Sequence, residues 1–451
     1  MIQTSSESLE SLLPETPIKR ITTPIERLLK IETSGGIVLI VMTVAALLWA
    51  NFGTESYHHF WHQPIELVLG PWKFAADLHW IVNDALMTIF FFNVGLEVKG
   101  EITYGELRDP KAASLPIIAA AGGMLFPALI YLALCPAGAS HGWGIPTATD
   151  IAFVVGCMAI LGRKIPHSLR IMILTLAIAD DIGAILVIAI GYPSGDGISW
   201  TALGTAFVLL VALFGLFRAG VRNMIVQLIL FVAVWAMFVK SGVHATISGV
   251  LLGLLIPAKS MVANDKLAFY SSKVGSFLSG APSMDKEEKF EMFTALKRGA
   301  RESLPQQERM YRKLVPWVNF VIMPIFALAN AGVVINLNGL EFPITIAVAC
   351  ALVFGKPIGI FLFSFLSVKF GIAKRPTGYG WSVLLGGGML AGIGFTMALF
   401  VSNLAFEVGG RQDSAKIGIL LGSVVAAILG TIYISIVSKP SSEPEAEPAK
   451  E

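Results

Sequence analysis

The stretch Ile171–Tyr192 reads IMILTLAIADDIGAILVIAIGY and places two adjacent acids, Asp180 and Asp181, in the middle of an apolar run. A run of about 20 apolar residues is long enough to cross a bilayer as a helix. An ionised side chain at the centre of such a helix costs about 2.5–3.5 kcal/mol on insertion scales. Neighbouring helical residues point about 100° apart, so the two carboxylates need separate partners. A structural salt bridge would require one acid, and we therefore interpret the pair as functional.

The rest of the chain has the composition of a membrane protein. Of its 451 residues, 55% are hydrophobic and 14% charged, with a mean hydropathy of +0.72. Soluble domains carry about 25% charged residues. Apolar runs predict an all-α protein with about twelve transmembrane helices. The predicted spans are 36–51, 76–96, 115–135, 145–162, 170–192, 200–218, 223–240, 243–257, 315–335, 343–366, 381–404 and 416–437.

The distribution of Lys and Arg predicts the orientation, because these residues concentrate in cytoplasmic loops. With both termini inside, almost all of the 33 cations fall on the cytoplasmic side. The exceptions are Lys73, Lys240, Arg411 and Lys416, which face outside, and Lys356, which lies within a span.

The domain prediction follows from these spans. Residues 1–35 form a cytoplasmic segment without a signal peptide, and 36–437 form a single transmembrane domain. Residues 438–451 form a tail, rich in Pro, Glu and Ser, that is expected to be disordered.

Two connections are longer than turns. On the outside, partial alternation of apolar and polar residues predicts a hairpin at about 55–69, ended by Gly70-Pro71. On the inside, the segment 258–314 carries mixed charge, and Phe290, Phe293, Leu296 and Lys297 suggest a surface helix within it. Its composition favours a solvated linker helix.

Two further ionisable residues stand out in apolar surroundings. Asp150 follows Pro146-Thr147-Ala148-Thr149, where it could cap a helix or face a cavity at a broken span. Lys356 is the one cation within a predicted span and lies too deep to reach the interface easily. A buried lysine needs a carboxylate, and the aspartate pair is the obvious partner. That ion pair could be structural or could act as a switch.

Four other titratable groups have plain alternative explanations. Asp84 lies within the second predicted span. Glu97 and Glu101 share one helical face at the cytoplasmic interface, as an interfacial polar cap would. His244 begins the eighth span, where a lone histidine is usually a satisfied polar residue, although it titrates nearest neutrality.

Several function classes fit the sequence poorly. Cys135, Cys157 and Cys350 show no pairing or metal spacing, no basic run is dense enough for nucleic acid, and no phosphate-binding Gly-Lys-Ser/Thr loop is present. We expect no cofactor and no enzymatic activity. A sodium-coupled symporter would need a larger polar pocket, an intramembrane aspartyl protease would need acids on separate helices, and a channel would conduct without coupling to protons.

Eight short stretches, taken in order, resemble the NhaA family of bacterial Na⁺/H⁺ antiporters over about residues 20–437. They are Asn83–Met87, Val94–Lys99, Ala148–Phe153, Ala177–Asp181, Ser241–Thr246, Phe326–Gly332, Gly355–Pro357 and Gly392–Met397.

The resemblance implies inverted repeats and two discontinuous helices that cross near the midplane, an architecture for which this family is itself a standard case. The breaks would fall near Thr149-Asp150 and at Gly392 and Gly394. Asp150 and Lys356 would then compensate the partial charges of the facing helix ends.

The resemblance also implies roles for the buried groups. Asp181 would be the principal Na⁺ ligand and proton carrier, with Asp180 beside it and able to pair with Lys356, and Thr149 would line the site. Glu97, Glu101, His244 and Asp84 would serve the pH response.

The implied activity is electrogenic export of Na⁺ and Li⁺ in exchange for H⁺ across the bacterial inner membrane. Cation and protons would compete for the same carboxylates. The outer hairpin would make homodimer contacts. Three departures from the family pattern are Asn93 at a usually apolar position, Gly100 at a usually basic one, and the unusually long inner segment 258–314.

Overall fold

In the computed structural model, the described residues are 32–69, 72–192, 197–221, 223–260, 268–269, 271–272, 275, 285–335, 339–374 and 378–438. The predicted segment 1–35 and tail 438–451 lie almost entirely outside them. The helices and strands are α1 Glu32–Phe52, α2 Thr54–Trp61, β1 Pro64–Leu69, β2 Trp72–Asp77, α3 Leu78–Thr103, α4 Pro110–Leu134, a 3₁₀ helix Ser140–Thr147, α5 Ile151–Leu161, α6 His167–Gly191, α7 Trp200–Arg218, α8 Met224–Ser241, α9 Ala245–Leu255, α10 Lys286–Ser303, α11 Gln306–Asn330, α12 Phe342–Lys369, α13 Trp381–Ala391, α14 Phe395–Ala405 and α15 Gly410–Val437.

The described helices account for ten or eleven membrane spans. Ten are long and apolar enough to cross a bilayer, and the bent pair α13 and α14 supplies an eleventh if it counts as one span. The eighth predicted span is the 11-residue helix α9. At 1.5 Å per residue it is about 17 Å long, against a hydrocarbon core of about 30 Å. The number twelve therefore stays a prediction.

Two spans are interrupted at the predicted positions. The chain is non-helical over 148–150, between the 3₁₀ helix and α5. It is interrupted again over 392–394, where α13 and α14 meet at a bend of 50°. Gly392 favours this break by its low helix propensity. It also permits a close approach, because a Cβ atom there would lie 2.6 Å from the carbonyl oxygen of Leu352.

Three spans contain a π-helical turn, a feature that is frequent at functional sites. The turns are Ile81–Leu86 in α3, Val318–Ile322 in α11 and Ala351–Gly355 in α12. The first contains Asp84, and the third ends directly before Lys356.

The predicted outer hairpin lies later in the chain than 55–69. Strands β1 and β2 pair antiparallel from Pro64↔Asp77 to Leu69↔Trp72, whereas Thr54–Trp61 is helical. Tyr57 and Trp61 are four residues apart and both buried, so they lie on one face of this helix. The Tyr57 hydroxyl lies 2.8 Å from the carbonyl oxygens of Leu328 and Ala329. Burial raises the pKa of Tyr57, so its hydroxyl stays a donor.

Two helices extend beyond the predicted spans. Helix α3 continues past residue 96 to Thr103 and so includes Glu97 and Glu101. Helix α11 begins at Gln306, although the predicted span begins at 315, and both Gln306 and Gln307 are buried. The side-chain N–H groups of both glutamines donate hydrogen bonds, and buried polar groups pack when they are paired in this way. A prediction based on apolar runs leaves such polar residues out of the span.

The chain divides into two compact units. The first comprises Met1–Gln63, Ser114–Ala184 and Met323–Glu451, and the second comprises Pro64–Ala113 and Ile185–Ile322. The first contains both interrupted spans, Asp180, Asp181 and Lys356. The second contains the hairpin, all of α3, and α7 to α10.

Within the second unit, α3 and α9 pack through small residues. A Cβ atom at Gly253 of α9 would lie 2.6 Å from the carbonyl oxygen of Phe92 and 2.8 Å from the carbonyl carbon of Gly95. A Cβ atom at Gly95 would lie 2.6 Å from the carbonyl oxygen of Val250. Both glycines are therefore needed for the backbones to approach.

We expect Gly253→Ala to lower the free energy of unfolding by about 1–3 kcal/mol, because the added methyl group forces the two backbones apart. Denaturant titration of the purified protein in mixed micelles measures this change. Gly215→Ala in α7 is the matched control, because a Cβ atom there meets nothing within 4 Å. Equal stability of the two variants would contradict this account of the α3–α9 contact.

Candidate functional site

The first unit gathers six buried polar side chains around its two interrupted spans. They come from the end of the 3₁₀ helix, the break before α5, the middle of α6 and the middle of α12. Each is at most 3% exposed. The six residues are Thr147, Thr149, Asp150, Asp180, Asp181 and Lys356, and Thr396 joins them at 1%.

The Lys356 ammonium group makes three hydrogen bonds, which is its full capacity. It donates to Asp180 Oδ2 at 2.5 Å, to Thr149 Oγ1 at 2.7 Å and to the carbonyl oxygen of Thr147 at 2.6 Å. The side chain is 0% exposed. The predicted ion pair between Lys356 and Asp180 is confirmed.

The two oxygens of Asp180 have different surroundings. Oδ2 accepts from Lys356 and lies 2.6 Å from the Thr149 hydroxyl oxygen. Oδ1 is buried and accepts no hydrogen bond from the part of the chain that the structure describes. A buried carboxylate oxygen without a donor is costly. The same oxygen is available to a cation or a proton.

Asp150 lies at the start of two helices. Its Oδ1 accepts from the backbone N–H of Phe153 at 3.3 Å, which makes it the N-cap of α5. Its Oδ2 accepts from the backbone N–H of Thr396 at 3.1 Å and from the Thr396 hydroxyl at 2.5 Å, at the start of α14. Both interpretations of Asp150, as a cap and as a charge at a broken span, are therefore realised.

The two breaks also contact each other through their backbones. The N–H of Asp150 donates to the carbonyl oxygen of Ile393 at 2.7 Å, and the Thr149 hydroxyl lies 3.0 Å from the carbonyl oxygen of Ala391. Helix N-termini carry partial positive charge and C-termini partial negative charge. The Asp150 carboxylate faces two N-termini, and the Lys356 ammonium binds the last carbonyl of the 3₁₀ helix, so each charge opposes the local dipole.

Asp181, the neighbour of Asp180 on α6, is buried and interacts electrostatically with Lys356. The described residues contain no group of three or more His, Cys, Asp or Glu side chains arranged for a metal ion. A cation at this site would therefore take its remaining ligands from hydroxyl, backbone or water oxygens.

The residues predicted for the pH response lie in the second unit and do not form one cluster. Gly249 and Gly253 of α9 face successive turns of α3, so these helices run in the same direction. His244, directly before α9, is therefore level with the start of α3, near Asp84. Glu97 lies about 20 Å further along the helix.

Glu97 and Glu101 lie together near the C-terminal end of α3. Glu97 hydrogen bonds the side chain of Tyr311 on α11 and interacts with Glu101. Glu101 Oε2 accepts from the backbone N–H of Glu106 at 3.1 Å. At the other end, His244 hydrogen bonds the backbone of Tyr192.

The structure explains why a small residue fits at position 100, where a basic residue was expected. A Cβ atom there would lie 2.8 Å from Gln307 Nε2, which donates to the carbonyl oxygen of Leu96 at 2.6 Å. The buried glutamine takes the room that a basic side chain would fill. Asn93 is buried, and its Oδ1 accepts no hydrogen bond from a described residue.

Three contributors to these sites were not singled out in the sequence. Thr396 supplies two donors to Asp150, and the Ser423 hydroxyl accepts from the N–H of Phe395 at 3.1 Å. Tyr311 reaches Glu97. The only signal for Thr396 was its place after Gly392-Ile393-Gly394-Phe395, and single hydroxyl residues such as Ser423 carry no signal in an apolar helix.

Comparison with known proteins decides the family. The family model described as Na⁺/H⁺ antiporter 1 matches residues 26–434. The Na⁺/H⁺ antiporter NhaA of Rhodopirellula baltica is 46% identical over 434 residues, which cover 96% of this chain and 98% of that protein. The chain belongs to the NhaA family of Na⁺/H⁺ antiporters.

Other NhaA relatives agree over nearly the full length. The Na⁺/H⁺ antiporter NhaA 2 of Vibrio vulnificus is 46% identical, and the match covers 94% of this chain and 94% of that protein. The Na⁺/H⁺ antiporter NhaA of Rhizobium meliloti is 44% identical, and the match covers 96% of this chain and 98% of that protein. The NhaA family consists of transporters. With its apolar helices, the chain is a multi-pass membrane protein of sodium transport and antiport.

We expect Lys356→Met to lower the free energy of unfolding of this NhaA protein by about 3–5 kcal/mol, because Asp180 would remain as an uncompensated buried charge. Adding Asp180→Asn should recover most of that loss. Denaturant titration of both single variants and the double variant gives the coupling energy. The control is Lys369→Met, at an exposed lysine of the same helix. If the double variant were no more stable than Lys356→Met, the loss of stability would not come from the unpaired charge of Asp180.

Proposed function

We propose that the protein exports Na⁺, and also Li⁺, in exchange for H⁺, and that cation and protons compete for the carboxylates of Asp180 and Asp181. The observation that carries this proposal is the buried Oδ1 of Asp180, which lacks a donor while Oδ2 of the same carboxylate is paired with Lys356. A carboxylate held in this way has one oxygen fixed and one free to take either cargo ion.

Oxygen atoms suit Na⁺, because hard cations prefer carboxylate, hydroxyl and carbonyl ligands. Asp181, Oδ1 of Asp180 and the Thr149 hydroxyl would supply them, with water completing the shell. On the size of the cavity, Li⁺ should be accepted and the larger K⁺ disfavoured.

The charges within the site favour exchange. Two ionised carboxylates and the Lys356 ammonium carry one net negative charge, which a single Na⁺ neutralises. One proton neutralises the same charge, and simultaneous occupation by a proton and Na⁺ leaves an excess positive charge in a low dielectric. Electrogenic exchange, which the family resemblance implies, needs a further protonation in each cycle beyond this neutral state.

The proposed architecture has twelve spans, inverted repeats and both termini in the cytoplasm of a bacterial cell, with the protein in the inner membrane. The interruptions at 148–150 and 392–394 and the bias of Lys and Arg support it. Rocking of one group of helices against the other would expose the site to each side in turn. The strand edges of the β1–β2 hairpin can pair with those of a second copy, which supports a homodimer.

Two separate groups would serve the pH response. Glu97 and Glu101, with Tyr311, form one at the inner end of α3. Asp84 and His244 form the other at its start. Their arrangement around the α3–α9 pair supports a response that acts on this pair as a whole.

Asp181→Asn should abolish exchange without unfolding the protein. The assay uses liposomes with an acidic interior, a pH-sensitive dye and external Na⁺, and wild type should alkalinise the interior. Thermal unfolding of the variant checks its fold. The control is Asp109→Asn, an exposed aspartate at the start of α4. Wild-type rates in Asp181→Asn would remove this carboxylate from the mechanism, and no proton movement in wild type at any pH would favour a symporter or a channel.

Competition predicts how pH changes the kinetics. As the pH falls, the apparent KM for Na⁺ should rise by up to about tenfold per pH unit for each competing proton, because linkage between two ligands of one site is reciprocal. The maximal rate at saturating Na⁺ should change far less. Initial rates of ²²Na⁺ uptake measured over a pH series test this. A constant KM with a falling maximal rate would indicate separate sites for the two ions.

A further inference from the structure

Helix α10, Lys286–Ser303, lies in the predicted inner segment 258–314 and exposes two phenylalanines. Phe290 is 72% exposed and Phe293 is 48% exposed. Met292 and Leu296 are four residues apart and half-buried, so they form an inward apolar side of the helix. The two phenylalanines form a second apolar surface, and neighbouring exposed apolar groups of this size mark interaction sites.

Cations share the face of the phenylalanines, and the acids lie outside it or at its edge. Residues three or four apart occupy one side of a helix. Five exposed residues follow this spacing, namely Lys286, Phe290, Phe293, Lys297 and Arg301. Glu291 is exposed and rotated by about 100° from Phe290, whereas the exposed Glu287 lies at the edge of this face, three residues before Phe290. A solvated linker helix would not require this separation of charge.

The helix is fixed close to a membrane span. Arg309 Nη1 donates to the carbonyl oxygen of Arg301 at 2.6 Å and lies 3.7 Å from Glu302. Leu304 and Pro305 alone connect α10 to α11, so the Cα atoms of Ser303 and Gln306 are at most about 11 Å apart. The first turn of α11 is anchored through Gln307. The end of α10 is therefore held where α11 begins.

We propose that α10 lies on the membrane surface and binds anionic phospholipid headgroups through Lys286, Lys297 and Arg301, with Phe290 and Phe293 inserted among the upper acyl chains. Basic amphipathic helices bind in this way, with apolar side chains at the acyl boundary and each cation adding affinity for an anionic surface. The charge of the exposed face complements that surface.

Nitroxide labels at single cysteines test the depth of each face. Cys135, Cys157 and Cys350 are first replaced by alanine, and the ion exchange of that background is checked. Labels at Phe290→Cys and Phe293→Cys then report one face and a label at Glu291→Cys the other. The full-length protein is reconstituted in vesicles of phosphatidylcholine, with or without phosphatidylglycerol. In phosphatidylglycerol vesicles, the first two labels should become accessible to dissolved oxygen and inaccessible to a water-soluble nickel chelate.

Two adjacent cations provide the matched comparison. Lys297→Gln removes a cation from the phenylalanine face and should lower the ratio of inserted to free helix about fivefold. Arg298→Gln removes the neighbouring cation, which points about 100° away, and should have a much smaller effect.

Immersion of the labels in anionic vesicles, weakened by Lys297→Gln and largely kept in Arg298→Gln, would support the proposal. Labels that stay accessible to the nickel chelate in both lipids would overturn it, as would equal effects of the two substitutions. Protection in phosphatidylcholine alone that grows with protein density would assign this face to a second copy and would also overturn it.

Discussion

A buried charge that must be neutralised within the protein organises the first unit. The Lys356 ammonium is fully buried and uses all three donors on Asp180, Thr149 and the carbonyl oxygen of Thr147. In a low dielectric an unpaired ammonium is far too costly to persist. The middle of α6, the middle of α12 and the break before α5 are therefore held at hydrogen-bonding distance from one another.

The second constraint is the exposure of helix ends inside an apolar bundle. Each interruption leaves backbone groups without partners within the helix. The Asp150 carboxylate accepts hydrogen bonds from N–H groups at the starts of α5 and α14. Two further contacts join the breaks, from the Asp150 N–H to the Ile393 carbonyl and from Thr149 to the Ala391 carbonyl. The site is thus built from features that would destabilise an uninterrupted helix, and its stability depends on charges of both signs.

The second unit is held together by close backbone packing, whereas a buried ion pair organises the first. Its α3–α9 contact depends on glycines that let two backbones approach, and its titratable residues lie at both ends of that contact. Gln307 fills the room that Gly100 leaves and ties the start of α11 to α3. The neighbouring α10 has the apolar and basic residues of its exposed face at helical spacing, next to the point where α11 begins.

The sequence by itself determined most of the fold class and the identity of the buried groups. Apolar runs of span length predict helices, because lipid leaves few alternatives for an apolar chain. The breaks near Thr149-Asp150 and at Gly392 and Gly394 were implied by the resemblance to the NhaA family. An acid pair and one lysine within spans predict an ion pair, because each charge must find a partner. The sequence did not determine that the Tyr57 segment is a helix, that α11 begins at Gln306, or that Thr396 binds Asp150. Only the tertiary structure decided these, since each depends on a partner distant in sequence. The tertiary structure also decided which oxygen of Asp180 accepts the hydrogen bond from Lys356, because that choice depends on distances that the sequence does not contain.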